Sequence, residues 1–323
     1  MCALPINAKQ LKSSSNQKTS EKINTHRENG REKTVSPAKT CILVARPVCA
    51  SADKKIDDAW FATLCEAYYQ VRLGSLKNVE VISPESLFQL IPKYRDFSQE
   101  IVQSEYADVA AKCHSLYALF PKYELMAGGK EFSYYAEVVR ITDNKSMLTF
   151  EKIGSIENLG RLLDSSIMCM QKDVHMVKPD QFSGSFKVSL LGENGKNILK
   201  NCKQLGTLLL NDNYVKSENP VKIAKAYKAL ISANPAMLLA VYAGAIAHMR
   251  SNDFAAAAEL FSDFTGSVRD YAPLFPAMCK SYRMCRRFDE AKKCFDMAEN
   301  LGVMSIQLLL EKSLTCQASG DIK

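Results

Sequence analysis

A displacement of thirty-four residues constrains this chain more than any other feature of its sequence. Asp253-Phe254-x-x-Ala257-x-x-x-Phe261 recurs as Arg287-Phe288-x-x-Ala291-x-x-x-Phe295. Three markers share that displacement: 254 to 288, 257 to 291 and 261 to 295. One step earlier Tyr227 stands in the place of Phe261, and Pro235 falls where such a unit ends. One step later Gly320-Asp321-Ile322 answers Asn252-Asp253-Phe254. Inside one unit Leu238, Val241, Tyr242, Ala245 and Met249 form one helical stripe, and Ala257, Leu260, Phe261 and Phe264 form another. A helix pair striped in this way buries one face and leaves an apolar flank that only the next pair can cover. The last third of the chain is therefore expected to be stacked helix pairs. A closing helix over about 305–318 is expected to turn Leu308, Leu309 and Ser313 inward, with Glu311, Lys312 and Gln317 outward.

The period and its markers resemble the tetratricopeptide repeat, a helix–turn–helix of 34 residues. The resemblance covers about 204–323, with two clear repeats (238–271 and 272–305), a degenerate one before them and a half repeat after. Ala245 and Cys279 supply small residues where the paired helices approach, and Tyr282 takes the aromatic place that His248 holds one unit earlier. The Trp-Leu-Gly opening of the family is replaced by Val241, Gly244 and Ala245, and then by Phe275, Met278 and Cys279. The resemblance implies a groove lined by the first helix of each pair, facing which would be Tyr242, Ile246, Met249, Arg250, Lys280, Arg283 and Met284. Such a lining suits an amphipathic or acidic segment of a partner protein. The alternative is that the chain itself fills the groove and the cations are only solvated. A clamp for a terminal carboxylate is not implied, because Tyr242, Ile246 and Pro276 stand where that clamp needs polar residues.

Upstream, the pattern changes. Cys41 to Ala45 is a continuous apolar run suited to a strand buried on both faces. Asp57-Asp58 open a helix striped by Trp60, Leu64, Ala67 and Val71, which Gly74 stops. Val79 to Ile82 reads as a strand, Ser83-Pro84 starts a short helix, and a longer helix is expected over about Glu105 to Tyr117. Phe132 to Ile141 alternates and turns at Thr142 to Lys145 into Met147 to Lys152, an antiparallel hairpin. Ile156, Leu159, Leu163, Ile167 and Met170 mark a closing helix. The fold class expected is α+β: a small α/β domain over 39–176, a linker and entry helix over 177–203, then an all-α helical solenoid over 204–323. The order over 39–176 also resembles, by topology alone, the amino-terminal α/β domain of the TolB protein.

The chain carries 42 Lys+Arg against 35 Asp+Glu, a formal charge of +7. Residues 1–40 hold eight of those cations against three acids (Glu21, Glu28 and Glu32), so most of the excess is a tail. Residues 1–38, rich in Ser, Lys, Asn, Gln and Glu, bury too little apolar surface to fold and are expected to be a disordered basic leader. The leader lacks the interleaved aromatics that stack on bases, so specific nucleic-acid binding is not expected. No apolar run reaches the ~20 residues a membrane span needs. The 11 cysteines include no Cys-x-x-Cys pair, and no histidine lies near Cys279, Cys285 and Cys294, so neither a disulfide framework nor a zinc set is indicated. A reducing, cytoplasmic setting follows.

Little in the sequence carries chemistry. Adjacent Cys113 and His114 diverge by about 100° on a helix and cannot pair as nucleophile and base. Gly192 to Asn197 lacks the phosphate-loop spacing, and Gly128-Gly129-Lys130 reads as a tight turn. Cys169 and His175 are two ligands without a third. No catalytic residue, metal or cofactor is therefore expected, and the chain reads as a non-enzymatic interaction or scaffold protein that binds a peptide or helix, probed best by its array. The alternative is an envelope-associated or signalling component in which the α/β domain does the recognising.

Overall fold

In the computed structural model the described residues are 40–50, 58–76, 79–126, 128–174 (backbone only beyond 170), 188–192, 197–214, 219–268 and 271–321. They belong to one compact unit, Pro37–Lys323. The expected leader, His175 and most of the Gly192–Asn197 turn lie outside the described residues.

The apolar run becomes β1 (Thr40–Val44), set parallel between β3 (Val79–Val81) and β4 (Tyr117–Leu125). β2 (Val48–Cys49) runs on beside β4. β5 (Glu131–Arg140) and β6 (Lys145–Ser155) add the antiparallel hairpin, so the mixed sheet of six strands is ordered β3-β1-β4-β5-β6. Successive residues of β1 point to opposite faces. Ile42 and Val44 join one core and Leu43 and Ala45 the other, which is why the run is apolar throughout.

β4 begins where a helix was expected. α3 (Gln103–Lys112) stops at Lys112, not Tyr117, because His114 takes a left-handed backbone with φ of 53°. Tyr117-Ala118-Leu119-Phe120 does not alternate, being covered on both faces, so its period gave no strand signal. Pro121 sits inside β4, where it donates no hydrogen bond. The gap between β1 and β2 lies opposite it, flanked by the bonds from Ala45 N–H to Leu119 O and from Ala50 N–H to Tyr123 O.

α1 (Ala59–Gly74) covers one face of the sheet, while α2 (Pro84–Leu90) and α3 cover the other. The stripe expected on α1 would leave its far side in water. Instead Thr63, Glu66, Gln70 and Arg72 are buried too, because α1 is covered all round, with Phe61 and Tyr69 against the sheet and α5 (Ile198–Asn213) along the side of Trp60 and Ala67. Gly206 of α5 permits the approach: a Cβ there would stand 2.2 Å from the Trp60 carbonyl oxygen. Each of these four polar groups finds a partner. Arg72 pairs with Asp164 of α4 (Leu159–Val174) at 2.9 Å, and Tyr69 bonds Ser166 of the same helix at 2.6 Å. Glu66 accepts from Tyr94 (2.8 Å) and from Tyr214 at the end of α5. Burial raises the Glu66 carboxyl above its ordinary range, against the lowering effect of those two hydroxyls and of Arg46.

The array continues through α6 (Pro220–Ala233), α7 (Leu238–Arg250), α8 (Phe254–Ser267), α9 (Leu274–Met284), α10 (Phe288–Asn300) and α11 (Ile306–Ser319), each helix packed on its chain neighbour. The markers Tyr227, Ala257, Phe261, Ala291 and Phe295 are all buried. The period also appears in the backbone. Asn252, Arg286 and Gly320, spaced by thirty-four, adopt φ of 63°, 57° and 80°. The residue after each donates to the carbonyl five positions back: Asp253 to His248 (2.9 Å), Arg287 to Tyr282 (2.9 Å) and Asp321 to Cys316 (3.0 Å).

α11 faces differently from the expectation. Leu308 and Thr315 are buried and Glu311 points inward, where it meets Arg283 at 2.9 Å. Leu309 is 53% exposed and Ser313 is exposed. The spacing 308, 311, 315 follows one helical stripe, and the inward carboxylate is stable because a guanidinium waits for it.

Candidate functional site

The seven residues implied by the resemblance fall on separate surfaces. Tyr242, Ile246 and Arg250 share one face of α7, which looks onto α1, the start of α2 and α5 across a cleft of about 180 Å³. Tyr242 packs its ring on Phe264 (5.3 Å) and edge-on to Tyr271 (5.2 Å), whose hydroxyl donates to that of Tyr242 at 3.4 Å. Arg250 reaches Asp212 of α5 at 2.8 Å and Glu85 of α2 at 3.7 Å. Burial raises the Asp212 carboxyl and Arg250 opposes that shift. The chain itself occupies much of this face and compensates its cation.

The remaining four lie elsewhere. Met249 is half-buried against the core. Arg283 is engaged by Glu311 of α11. Lys280 and Met284, one turn apart on α9, are exposed, and Lys280 pairs with no carboxylate among the described residues.

A larger groove opens between α8, α9 and α10, with a volume of about 620 Å³. Met278 and Tyr282 of α9 form its base, Met297 and Leu301 one wall, and Thr265 and Gly266 of α8 the other. Methionine adapts its shape to an apolar guest at little rotamer cost. The rim carries Lys293 and Glu290. Arg287 binds Glu290 at 3.0 Å, also meets Glu259, and lies 5.0 Å over the Tyr282 ring, which fixes that ring in the groove. The Glu290 carboxyl is held below its usual range by its own backbone N–H and then by Arg287. Lys293 has no such partner among the described residues. Beneath the groove the Cys279 and Cys294 thiols lie 2.8 Å apart, with burial pushing the Cys279 thiol up and so suppressing its thiolate.

This groove was not found from the sequence. Its signal is the spacing of Glu290, Lys293, Cys294 and Met297 on one helix and of Ser262, Thr265 and Gly266 on the other. Those positions belong to the second helix of each pair, whereas the resemblance directs attention to the first.

No described helix is long and apolar enough to cross a membrane. Among the described residues, Cys113 and His114 lie at the end of α3 without a partner set. Compared with known proteins, the chain matches no family model, and no curated protein sequence matches it.

Proposed function

We propose that this chain is a partner-binding protein of the tetratricopeptide type, which holds a peptide or helical segment of another protein in the groove between α8, α9 and α10. The observation that carries the reading is the open apolar groove walled by Met278, Tyr282, Met297 and Leu301, beside an α7 face that the chain itself covers. The turns at Asn252, Arg286 and Gly320 support the repeat assignment, since a period held in backbone geometry is harder to meet by accident than one held in side chains. A partner would insert one or two apolar side chains as anchors, with an acidic residue beside them to meet Lys293. The broader acidic preference suggested by Lys280, Arg283, Arg286 and Arg287 is reduced, because Arg283 and Arg287 already face carboxylates.

Gly266→Phe tests the site cleanly. A Cβ at Gly266 meets nothing within 4 Å, so a large side chain can enter the groove without clashing at its root. Gly266 is the penultimate residue of α8, so the substitution leaves the helix interior untouched. Affinity capture with the full chain should lose its specific partners on this substitution while the thermal midpoint stays level. Partners retained undiminished by Gly266→Phe would overturn the assignment.

A further inference from the structure

We infer that the α/β part holds a second, independent site: a crevice at the carboxyl ends of β1 and β4 that binds a small one-ring aromatic acid. The inference does not rest on the groove or on the repeat assignment.

The chain leaves β1 for α1 on one face of the sheet, returns at β3, and reaches β4 only after α2 and α3 on the other face. The central strand β1 is thus flanked by β3, reached across one face of the sheet, and by β4, reached across the other. Open sheets whose connections take opposite faces bind ligands in the crevice outside the carboxyl ends of their parallel strands. A cavity of about 220 Å³ occupies that place.

Its walls suit a flat apolar body. Ala59 and Ala62, small residues in the first turn of α1, form one side, and Phe97 and Ile101 form the other. A dry cavity of about 150 Å³ accepts benzene, so this one has room for a ring and one substituent.

Its polar groups suit a carboxylate. Arg46, 6% exposed, spreads its guanidinium over the Phe97 ring at 4.3 Å. It donates to the carbonyls of Tyr94 (2.7 Å), Asp96 (3.2 Å) and Gln99 (2.9 Å), and it pairs with no carboxylate among the described residues. Three neutral acceptors fix this cation in place but leave its charge without a paired anion. Glu66 lies behind Tyr94, and its raised pKa weakens the compensation it offers. The Tyr106 hydroxyl, on the cavity wall, accepts the Arg46 backbone N–H at 3.2 Å and donates to no described residue. Its proton is thus open to a guest acceptor. The amino-terminal end of α1 adds a favourable dipole, with Asp58 making no side-chain cap. Glu100, exposed, is the one acid among the described wall residues and disfavours a multiply charged anion over a singly charged one.

The test is a titration of the full chain, followed by protein NMR or calorimetry, with benzoate, benzyl alcohol and inorganic phosphate as separate probes. Benzoate is expected to bind with a dissociation constant on the order of 1 mM or tighter, given the affinity a ligand of its size can reach. Benzyl alcohol should bind at least tenfold more weakly, and phosphate should not compete. Tyr106→Phe keeps the ring and removes the donor, so it should weaken benzoate about tenfold with the fold intact. Ala62→Phe fills the cavity and should abolish binding; if that variant unfolds, Tyr106→Phe still decides the matter. No benzoate binding at 10 mM, equal binding of phosphate, or an affinity unchanged by Tyr106→Phe would each overturn the site.

Discussion

Glu66 shows how single residues hold this protein together. Its carboxylate sits on α1 with Tyr94 on one side and Tyr214 on the other, so one group joins the layer beneath the sheet to the end of α5. The arrangement has a pH signature. Burial raises the folded pKa of Glu66 above its unfolded value, so its favourable contribution is complete below the unfolded pKa. That contribution is lost as pH rises through the folded pKa. Glu66→Gln removes the ionisation and keeps the shape. Stability curves from urea unfolding should therefore converge for wild type and Glu66→Gln near pH 4. Above that, the variant should gain relative to wild type as pH increases; a difference that shrinks with rising pH would reverse the assignment. Arg286 adopts φ of 57° with a full side chain where the equivalent turn at Gly320 uses glycine, and the bond from the Arg287 N–H to the Tyr282 carbonyl holds it there.

Among the elements, α11 separates what periodicity specifies from what packing decides. Leu308 is fully buried, whereas Leu309 is 53% exposed and Ile306 is 83% exposed. Leu308→Ala should cost about 2–4 kcal/mol in unfolding free energy, and Leu309→Ala should stay within about 0.5 kcal/mol of wild type. Similar losses for both would restore the inward placement of Leu309. The existence of α11, and of every array helix from α7 onward, was legible because a helix stripe and a turn residue are local properties. Its rotation was not. That depends on Glu311 meeting Arg283, a contact between residues on different helices that no local pattern announces. β4 hid for a related reason: a strand covered on both faces loses its alternation, so Tyr117 to Phe120 looked like the end of a helix.

The whole molecule is organised by α1. One continuous cluster of buried side chains runs from the sheet residues Ile42 and Leu119, through Trp60, Leu64 and Tyr68 of α1, to Leu205 of α5 and on to Leu308 of α11. The sequence reading separates an α/β part from an array because their periodicities differ, and composition cannot reveal that α1 is wrapped by both. The same wrapping moves the candidate partner site, since α1, α2 and α5 cover the α7 face that holds Tyr242, Ile246 and Arg250. A shared core predicts shared unfolding. Trp60, the single tryptophan, lies at the α1–α5 contact, so its fluorescence and the far-ultraviolet helix signal should give the same urea midpoint. Two separated transitions would mean that the parts fold independently. The proposed function requires that partners engage the α8–α10 groove and not the α7 face. Photo-crosslinking tests it most directly, with a benzophenone side chain placed at Met297 in one full-length variant and at Ile246 in another. Partner adducts are expected from position 297 and only intramolecular products from position 246; partner adducts from 246 with none from 297 would refute the groove assignment.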